Sequence, residues 1–268
     1  MAFLIYFMFI TVINDCACAN ARGRQETRLA SLFNSPVNFV GVSSDLEAAG
    51  NIIDALDAGE GREGIILANV APRNNKAKKW PNGTPFCYFY YKKTLVVSSI
   101  DGLTLSLVKK FKLVEAVKVV DLAKTVQKNL PKQTTEIINT QFRSYEFLPK
   151  LAFWLKRHKR VFAQDYQMKN IADAPQAVWW VDNFGNCKTT LLARELDKKT
   201  ENNIKNNIKV IHFASRLKDV EDNQAALITG SSGLGTDRFL EIVAQGKSAA
   251  KIFGLKSGDN FNKKQKKY

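Results

Sequence analysis

An α/β N-terminal domain with a mostly parallel sheet, followed by a smaller C-terminal β-barrel-like domain, is the architecture the sequence predicts. Three observations carry it. Apolar runs alternate with a helical period in the first half, short apolar runs broken by turn residues fill the second, and a basic, polar stretch divides them. The 268 residues accommodate two modest domains. The expected boundaries are 1–160 for the α/β domain, 161–174 for a linker, and 175–268 for the β domain with its basic tail.

In the first half, strands are expected at Phe9–Ile13, Val37–Val42, Ile65–Val70, Phe86–Tyr90 and Thr94–Val97. Between the second and third, Leu46, Ala49, Ile52, Ile53 and Leu56 recur at helical spacing, with Asp45 as the expected N-cap and Glu47 in the first turn. Strand–helix–strand alternation implies a parallel sheet covered by helices. Val114–Leu130 fits either a strand or a helix, and Phe147–Lys156 a helix. The second half offers strand-like Ala177–Val181, a turn at Asn183–Asn186, and short runs around Lys188–Leu192, Val210–Phe213 and Ala225–Thr229. Lys198–Asn207 reads as a polar loop and Asn262–Tyr268 as a solvated tail.

Composition narrows the function. Hydrophobic residues at 45% and charged residues at 24% suit a folded chain, not a disordered one. Lys plus Arg number 40 against 25 Asp plus Glu, a net charge of +15 that invites anionic partners. Basic clusters at Lys76–Lys79, Lys109–Lys112, Lys156–Arg160 and Lys263–Lys267 keep nucleic-acid binding as a reading, although no standard motif accompanies them. Only His158 and His212 are histidines, which argues against a multi-histidine metal site. Cys16, Cys18, Cys87 and Cys187 lack the paired spacing of a zinc site, so no metal is expected and the thiols suit a reducing cytoplasm. Ala2–Val12 followed by Ala19-Asn20-Ala21 fits a secretory signal, but no Lys or Arg precedes the run and Asn14-Asp15 closes it. The run is also shorter than the roughly 20 apolar residues of a membrane span. A buried first strand ending in a functional aspartate, in a cytoplasmic protein without membrane contact, is the expectation.

Two segments carry chemistry. Gly230-Ser231-Ser232-Gly233-Leu234-Gly235 could present backbone N–H groups to a ligand, although it lacks the Gly-Lys-Ser/Thr ending of a nucleotide P-loop. Val178–Asn186 runs from apolar residues into Asp182-Asn183-Phe184-Gly185-Asn186. An aspartate closing a buried strand is costly unless paired or facing a ligand, and the neighbouring aromatic and amide side chains suit a purine.

With Asp182, Phe184-Gly185-Asn186, Ser231-Ser232, Leu240-Glu241-Ile242…Gly246-Lys247-Ser248-Ala249-Ala250 and Gly254–Asp259, the second half resembles the S-adenosylmethionine (SAM) hydroxide adenosyltransferase family, also called SAM hydrolases and related to SAM-dependent fluorinases and chlorinases. The first half follows more loosely. Asn14-Asp15-Cys16-Ala17 stands for Thr-Asp-Phe-Gly, Ser99–Leu103 for Pro-Asp-Asn-Gly-Leu, and Thr140–Pro149 for Thr-Phe-His-Gly-Arg-Asp-x-Phe-Ala-Pro. The resemblance implies a SAM site between an N-terminal domain and a neighbouring subunit's C-terminal domain, in a homotrimer. By position, Asp15 would hold the ribose diol and Asp182 the methionine ammonium. Phe184 and Asn186 would line the adenine, Ser231 or Ser232 would bind the methionine end, and the Gly246–Ser248 backbone would meet the adenine edge. SAM enters as substrate or ligand; no separate cofactor is implied.

The departures concern catalysis. The family's hydrolytic Asp, Arg and His fall on Ala71, Lys78 and Phe142, and Thr140–Tyr145 does not reproduce the halogenase pattern Thr-Phe-Tyr-Ser-Arg-Glu. Catalytic residues therefore stay open, with Arg73, Lys76, Lys78, Arg143 and Tyr145 as candidates for a rearranged site. The expected function is cleavage of SAM by water at the ribose carbon next to sulfur, giving adenosine and methionine. The alternatives are a SAM- or adenosine-binding protein without catalysis and, further off, a nucleic-acid binder.

Overall fold

A computed structural model of the chain describes residues 8–71, 84–198 and 212–260. The chain divides into two compact units, Met1–Asp173 and Ala174–Tyr268. The expected loop at Lys198–Asn207, the tail at Asn262–Tyr268 and the candidates Arg73, Lys76 and Lys78 lie wholly or almost wholly outside the described residues.

The N-terminal unit is built on seven strands: β1 (Phe9–Asn14), β2 (Val37–Gly41), β3 (Gly64–Asn69), β4 (Phe86–Tyr91), β5 (Thr94–Ser99), β6 (Ala116–Val120) and β7 (Ala163–Gln167). They form one sheet in the order β2-β1-β3-β5-β4-β6-β7. The first four in that order are parallel, while β4, β6 and β7 add antiparallel ladders. The parallel half thus matches the sequence expectation, and the antiparallel half follows from the Lys92-Lys93 turn, too short for anything but a hairpin between β4 and β5.

Helix α1 (Ala19–Phe33) follows β1, and α2 (Asp45–Ala58) links β2 to β3. After β5 come α3 (Ser106–Lys110), then α4 (Leu122–Asn129), α5 (Thr134–Asn139), α6 (Arg143–Glu146) and α7 (Leu148–Lys156) between β6 and β7. The sheet is buried on both faces. Ile10, Val12, Ile65 and Leu67 join Leu29 of α1 and Leu151 and Trp154 of α7 in one cluster. Ile13 and Ile66, of opposite parity along their strands, are buried too, as are Ile52, Ile53 and Leu56 of α2, which packs against β1 and β3.

Two local expectations are corrected. The cap of α2 is Ser44, whose hydroxyl accepts from the Glu47 N–H at 3.2 Å, while the Glu47 carboxylate accepts from the Ser43 N–H at 2.6 Å. Asp45 is therefore the first helical residue, and its carboxylate instead accepts from the Leu103 N–H at 2.8 Å. Gly102 sits against that carboxylate with φ +65°, where a Cβ would lie 2.2 Å from Asp45 Oδ2. Within the stretch expected as a linker, 161–174, residues Ala163–Gln167 form β7, the edge of the sheet. Its polar sequence is that of an edge strand, where charge discourages further pairing. Val114–Leu130 resolves into both β6 and α4, the latter capped by Asp121.

The C-terminal unit is a five-stranded sheet in the order β10-β11-β12-β9-β8, comprising β8 (Val178–Val181), β9 (Cys187–Leu192), β10 (His212–Ala214), β11 (Ala225–Leu234) and β12 (Asp237–Ala244). Only β10 and β11 run parallel. Beside β8, an isolated bridge joins Ala177 to Asn260. Helix α8 (Ala249–Phe253) packs through Ala249 and Phe253 on a core that includes Val178, Leu240 and Ile242. The Gly-rich segment is not a loop between elements. It is a bulge inside β11, where the ladder with β12 shifts between Thr229 and Gly233. Among the described residues no helix is long and apolar enough to cross a membrane.

Candidate functional site

In the C-terminal unit, the motif residues of the two ends of the domain meet. β8 ends at Val181 and β9 begins at Cys187, so residues 182–186 must reverse the chain. Asp182 does this with its side chain. Its Oδ1 accepts from the backbone N–H groups of Phe184 and Asn186, both at 2.9 Å, and its Oδ2 accepts from the Asn186 side-chain amide at 3.0 Å. The backbone closes the turn through Asp182 N–H to the Asn186 carbonyl at 3.0 Å and Gly185 N–H to the Asp182 carbonyl at 3.0 Å.

Gly185 lies at φ +88° against Ser248; a Cβ there would be 1.9 Å from Ser248 Oγ. The Ala250 N–H donates to the Gly185 carbonyl at 2.9 Å, and the Ser248 hydroxyl caps α8 by accepting from the Lys251 N–H at 3.2 Å. Two segments more than sixty positions apart are thereby held as one rim.

A pocket of about 700 Å³ opens beside this rim. Six of the residues expected to bind a ligand line it: Asp182, Phe184, Asn186, Ser231, Gly246 and Ser248. Phe184 is 72% exposed, an aromatic face without cover. Asn186 keeps its side-chain oxygen and second amide hydrogen without a protein partner among the described residues. The bulge in β11 presents Ser231 to the pocket, and Ser232 is buried behind it, accepting from Lys188 Nζ at 2.5 Å.

Sequence reasoning missed two charged residues here. Lys188 and Glu241 both line the pocket and face each other across the β9–β12 ladder. Glu241 was legible inside the Leu240-Glu241-Ile242 run; Lys188 carried no signal beyond lying two positions after Asn186. Lys188 is steadied by Ser232 and lies 5.7 Å from the Trp179 ring centre. Leu217, Ala244 and Lys247 complete the wall, so apolar surface, two acids and two lysines share one cavity. Beneath it, burial first and then the Asp182, Glu241 and Asp259 carboxylates push the Cys187 thiol up to about 12.

Asp15 belongs to the N-terminal unit, at the carboxyl end of the parallel strands, the edge where α/β sheets bind ligands. Its Oδ2 accepts from the Ala71 N–H at 3.0 Å, tying the end of β1 to the chain leaving β3. Neighbouring Asn14 is buried and anchored by Gln25 of α1 at 3.0 Å. Phe142, expected from the sequence resemblance to stand at a histidine position, is 68% exposed, and Arg143 is half-buried, its guanidinium pKa lowered by desolvation. Among the described residues no group of three or more His, Cys, Asp or Glu could hold a metal.

Known proteins bear on this geometry. Residues 176–262 match the sequence profile of the SAM hydroxide adenosyltransferase C-terminal domain. No curated protein sequence matches the chain. An uncharacterized conserved protein of Thermotoga maritima superposes with a TM-score of 0.61 at 14% identity, covering 93% of this chain and 98% of its own. A conserved hypothetical protein of Thermus thermophilus does so at 0.58 and 16%, covering 94% and 98%. At such identities the likeness establishes the fold.

Proposed function

Taking as premise that residues 176–262 match the SAM hydroxide adenosyltransferase C-terminal domain, we propose that the chain binds SAM in the pocket of its C-terminal unit and cleaves it by attack of water on the ribose carbon next to sulfur, releasing adenosine and methionine. The observation that carries the reading is the Asp182–Asn186 turn, which sets a carboxylate, an open amide and an exposed aromatic ring along one wall. The ring offers a face for adenine, the Asn186 amide both a donor and an acceptor for its edge, and Asp182 a counter-charge for the methionine ammonium. Glu241 adds negative charge for the sulfonium, and Lys188 meets the methionine carboxylate. In this reading Asp15 binds the ribose diol from the N-terminal unit of a second copy in a trimer, since a carboxylate accepts from two hydroxyls at once.

Cleavage of a sulfonium asks little of the protein, because neutral methionine is a good leaving group. Desolvation and alignment of the water supply much of the acceleration. Loss of a general base costs a factor of roughly 10²–10⁴. Ala71 and Phe142, where the family carries its acid and histidine, favour a second reading, SAM binding without turnover.

Incubating the full chain with SAM and following adenosine and methionine by chromatography decides between them. Stoichiometric release of both is expected. Saturable binding with no release would leave the second reading standing, and no binding would reject the site.

A further inference from the structure

The N-terminal unit holds a separate groove of about 460 Å³ along α1, facing α6. Asn20, Arg24, Thr27, Arg28 and Ser31 fall at helical spacing, with Thr27 and Arg28 adjacent, so they share one side of α1, and Tyr145 of α6 stands opposite. The guanidinium carbons of Arg24 and Arg28 lie 4.3 and 4.2 Å from the Tyr145 ring centre. At that distance each cation uses the ring as a support; the Arg24 fork of N–H donors remains for an acceptor, and Arg28 shares its own with Glu146.

Among the described residues the charge in the groove is only partly compensated. Glu146 is 3.5 Å from both Arg28 and Lys150, so one carboxylate serves two cations. Arg24 meets no acid among the described residues. The Asn20 amide and the Thr27 hydroxyl likewise have no protein partner among them, whereas the Ser31 hydroxyl is engaged with the Arg28 carbonyl at 2.9 Å.

We propose that this groove is a phosphate-chain site, taking a di- or triphosphate across Arg24 and Arg28. The spacing selects the anion. One arginine fork saturates a carboxylate, whereas two arginines borne four residues apart on a helix, about 6 Å along the axis, suit an anion whose charged oxygens are spread over successive phosphorus centres. Two cations already lie over the Tyr145 ring, so it serves as a support for the arginines and is not offered to a base. The assignment is independent of SAM binding by the other unit.

Titration calorimetry of the full chain with inorganic tripolyphosphate, at fixed ionic strength in chloride, tests it. One-to-one binding is expected, weakened about tenfold by Arg24→Gln and again by Arg28→Gln, each charge-assisted contact being worth about that factor. Tyr145→Phe keeps the ring and should keep the affinity; Tyr145→Leu releases both guanidiniums and should lower it. Circular dichroism confirms that each variant is folded. Equal affinities for ATP and tripolyphosphate identify a free phosphate chain as the ligand, and a tighter ATP identifies a nucleotide held through the same phosphates. The proposal is overturned if the double arginine variant binds as the parent does, if sulfate competes as well as tripolyphosphate, or if an oligonucleotide binds far more tightly with a steep salt dependence.

Discussion

Asp182 offers about four acceptor positions on its two oxygens, and the turn that it organises uses three. The remaining position, on Oδ2, is what a ligand ammonium can take, so the residue is both a strut and a counter-charge. The two roles separate in part by substitution. Asp182→Asn keeps an oxygen for the Phe184 and Asn186 backbone N–H groups, removes the charge and puts an N–H donor where Oδ2 accepts from the Asn186 amide; we expect SAM affinity to fall about tenfold to a hundredfold and adenosine affinity by less, measured by calorimetry. Unaltered SAM affinity would remove Asp182 from the ligand. Lys188→Met should weaken SAM about tenfold and abolish any preference for SAM over its decarboxylated analogue; a preference that survives would place the carboxylate elsewhere. Cys187 supplies a pH signature. Its folded thiol is pushed up to about 12, whereas an unfolded thiol titrates near ~8.5. Protons are thus held by the folded state and lost by the unfolded one between those values, so this contribution to stability is complete below that window and declines as pH rises through it. Urea midpoints should drop above about pH 9, and less steeply in Cys187→Ala than in the parent. At this scale Asp182, Phe184 and Asn186 were legible because an aspartate closing an apolar run is conspicuous, whereas the position of Ser232 behind Lys188 depends on a bulge that no local pattern reveals.

Among the elements, most of those with an apolar run were read and those without one were not; β12 is the exception, its buried Phe239–Ala244 not read as a strand. Helix α1 escaped notice because only Gln25 and Leu29 of its fifteen residues are fully buried, and the buried Gln25 is there to hold Asn14. No stripe advertises such a helix. β4 and β5 were visible as strands, but their direction follows from the turn between them, and β7 looked like a linker because edge strands are polar. The β8–β9 hairpin and the start of α8 behave as one element pair, locked where Gly185 lies under Ser248. Gly185→Ala places a methyl on Ser248 at a left-handed φ. We expect a loss of about 1–3 kcal/mol in stability together with SAM binding, read by thermal denaturation and calorimetry; retention of both would show that the rim is not rigid. By contrast Gly246, also at positive φ, has open space around the missing Cβ.

For the molecule as a whole, composition set the class and the charge but not the ligand. A net charge of +15 is compatible with nucleic acid, phosphate or a merely soluble surface. The structure places part of that charge, on α1, beside an aromatic support, and another part, Lys188 and Lys247, in a pocket with two acids. If the SAM site is completed by a second copy, SAM should raise the melting temperature by an increment that grows with protein concentration. A shift independent of concentration would confine the site to one chain. The two-unit architecture was readable because each half keeps its own hydrophobic rhythm; the ladder shift inside β11 was not, because serine and glycine specify neither strand nor loop. That shift has a practical corollary. The hairpin beyond it ends at Gly235, whose Cβ position is open, and the cross-strand pairs Gly233–Arg238 and Leu234–Asp237 separate its tip from the pocket wall. Lengthening or trimming that tip should preserve the cavity, and an epitope or fluorophore grafted there would report on the protein without touching its ligand.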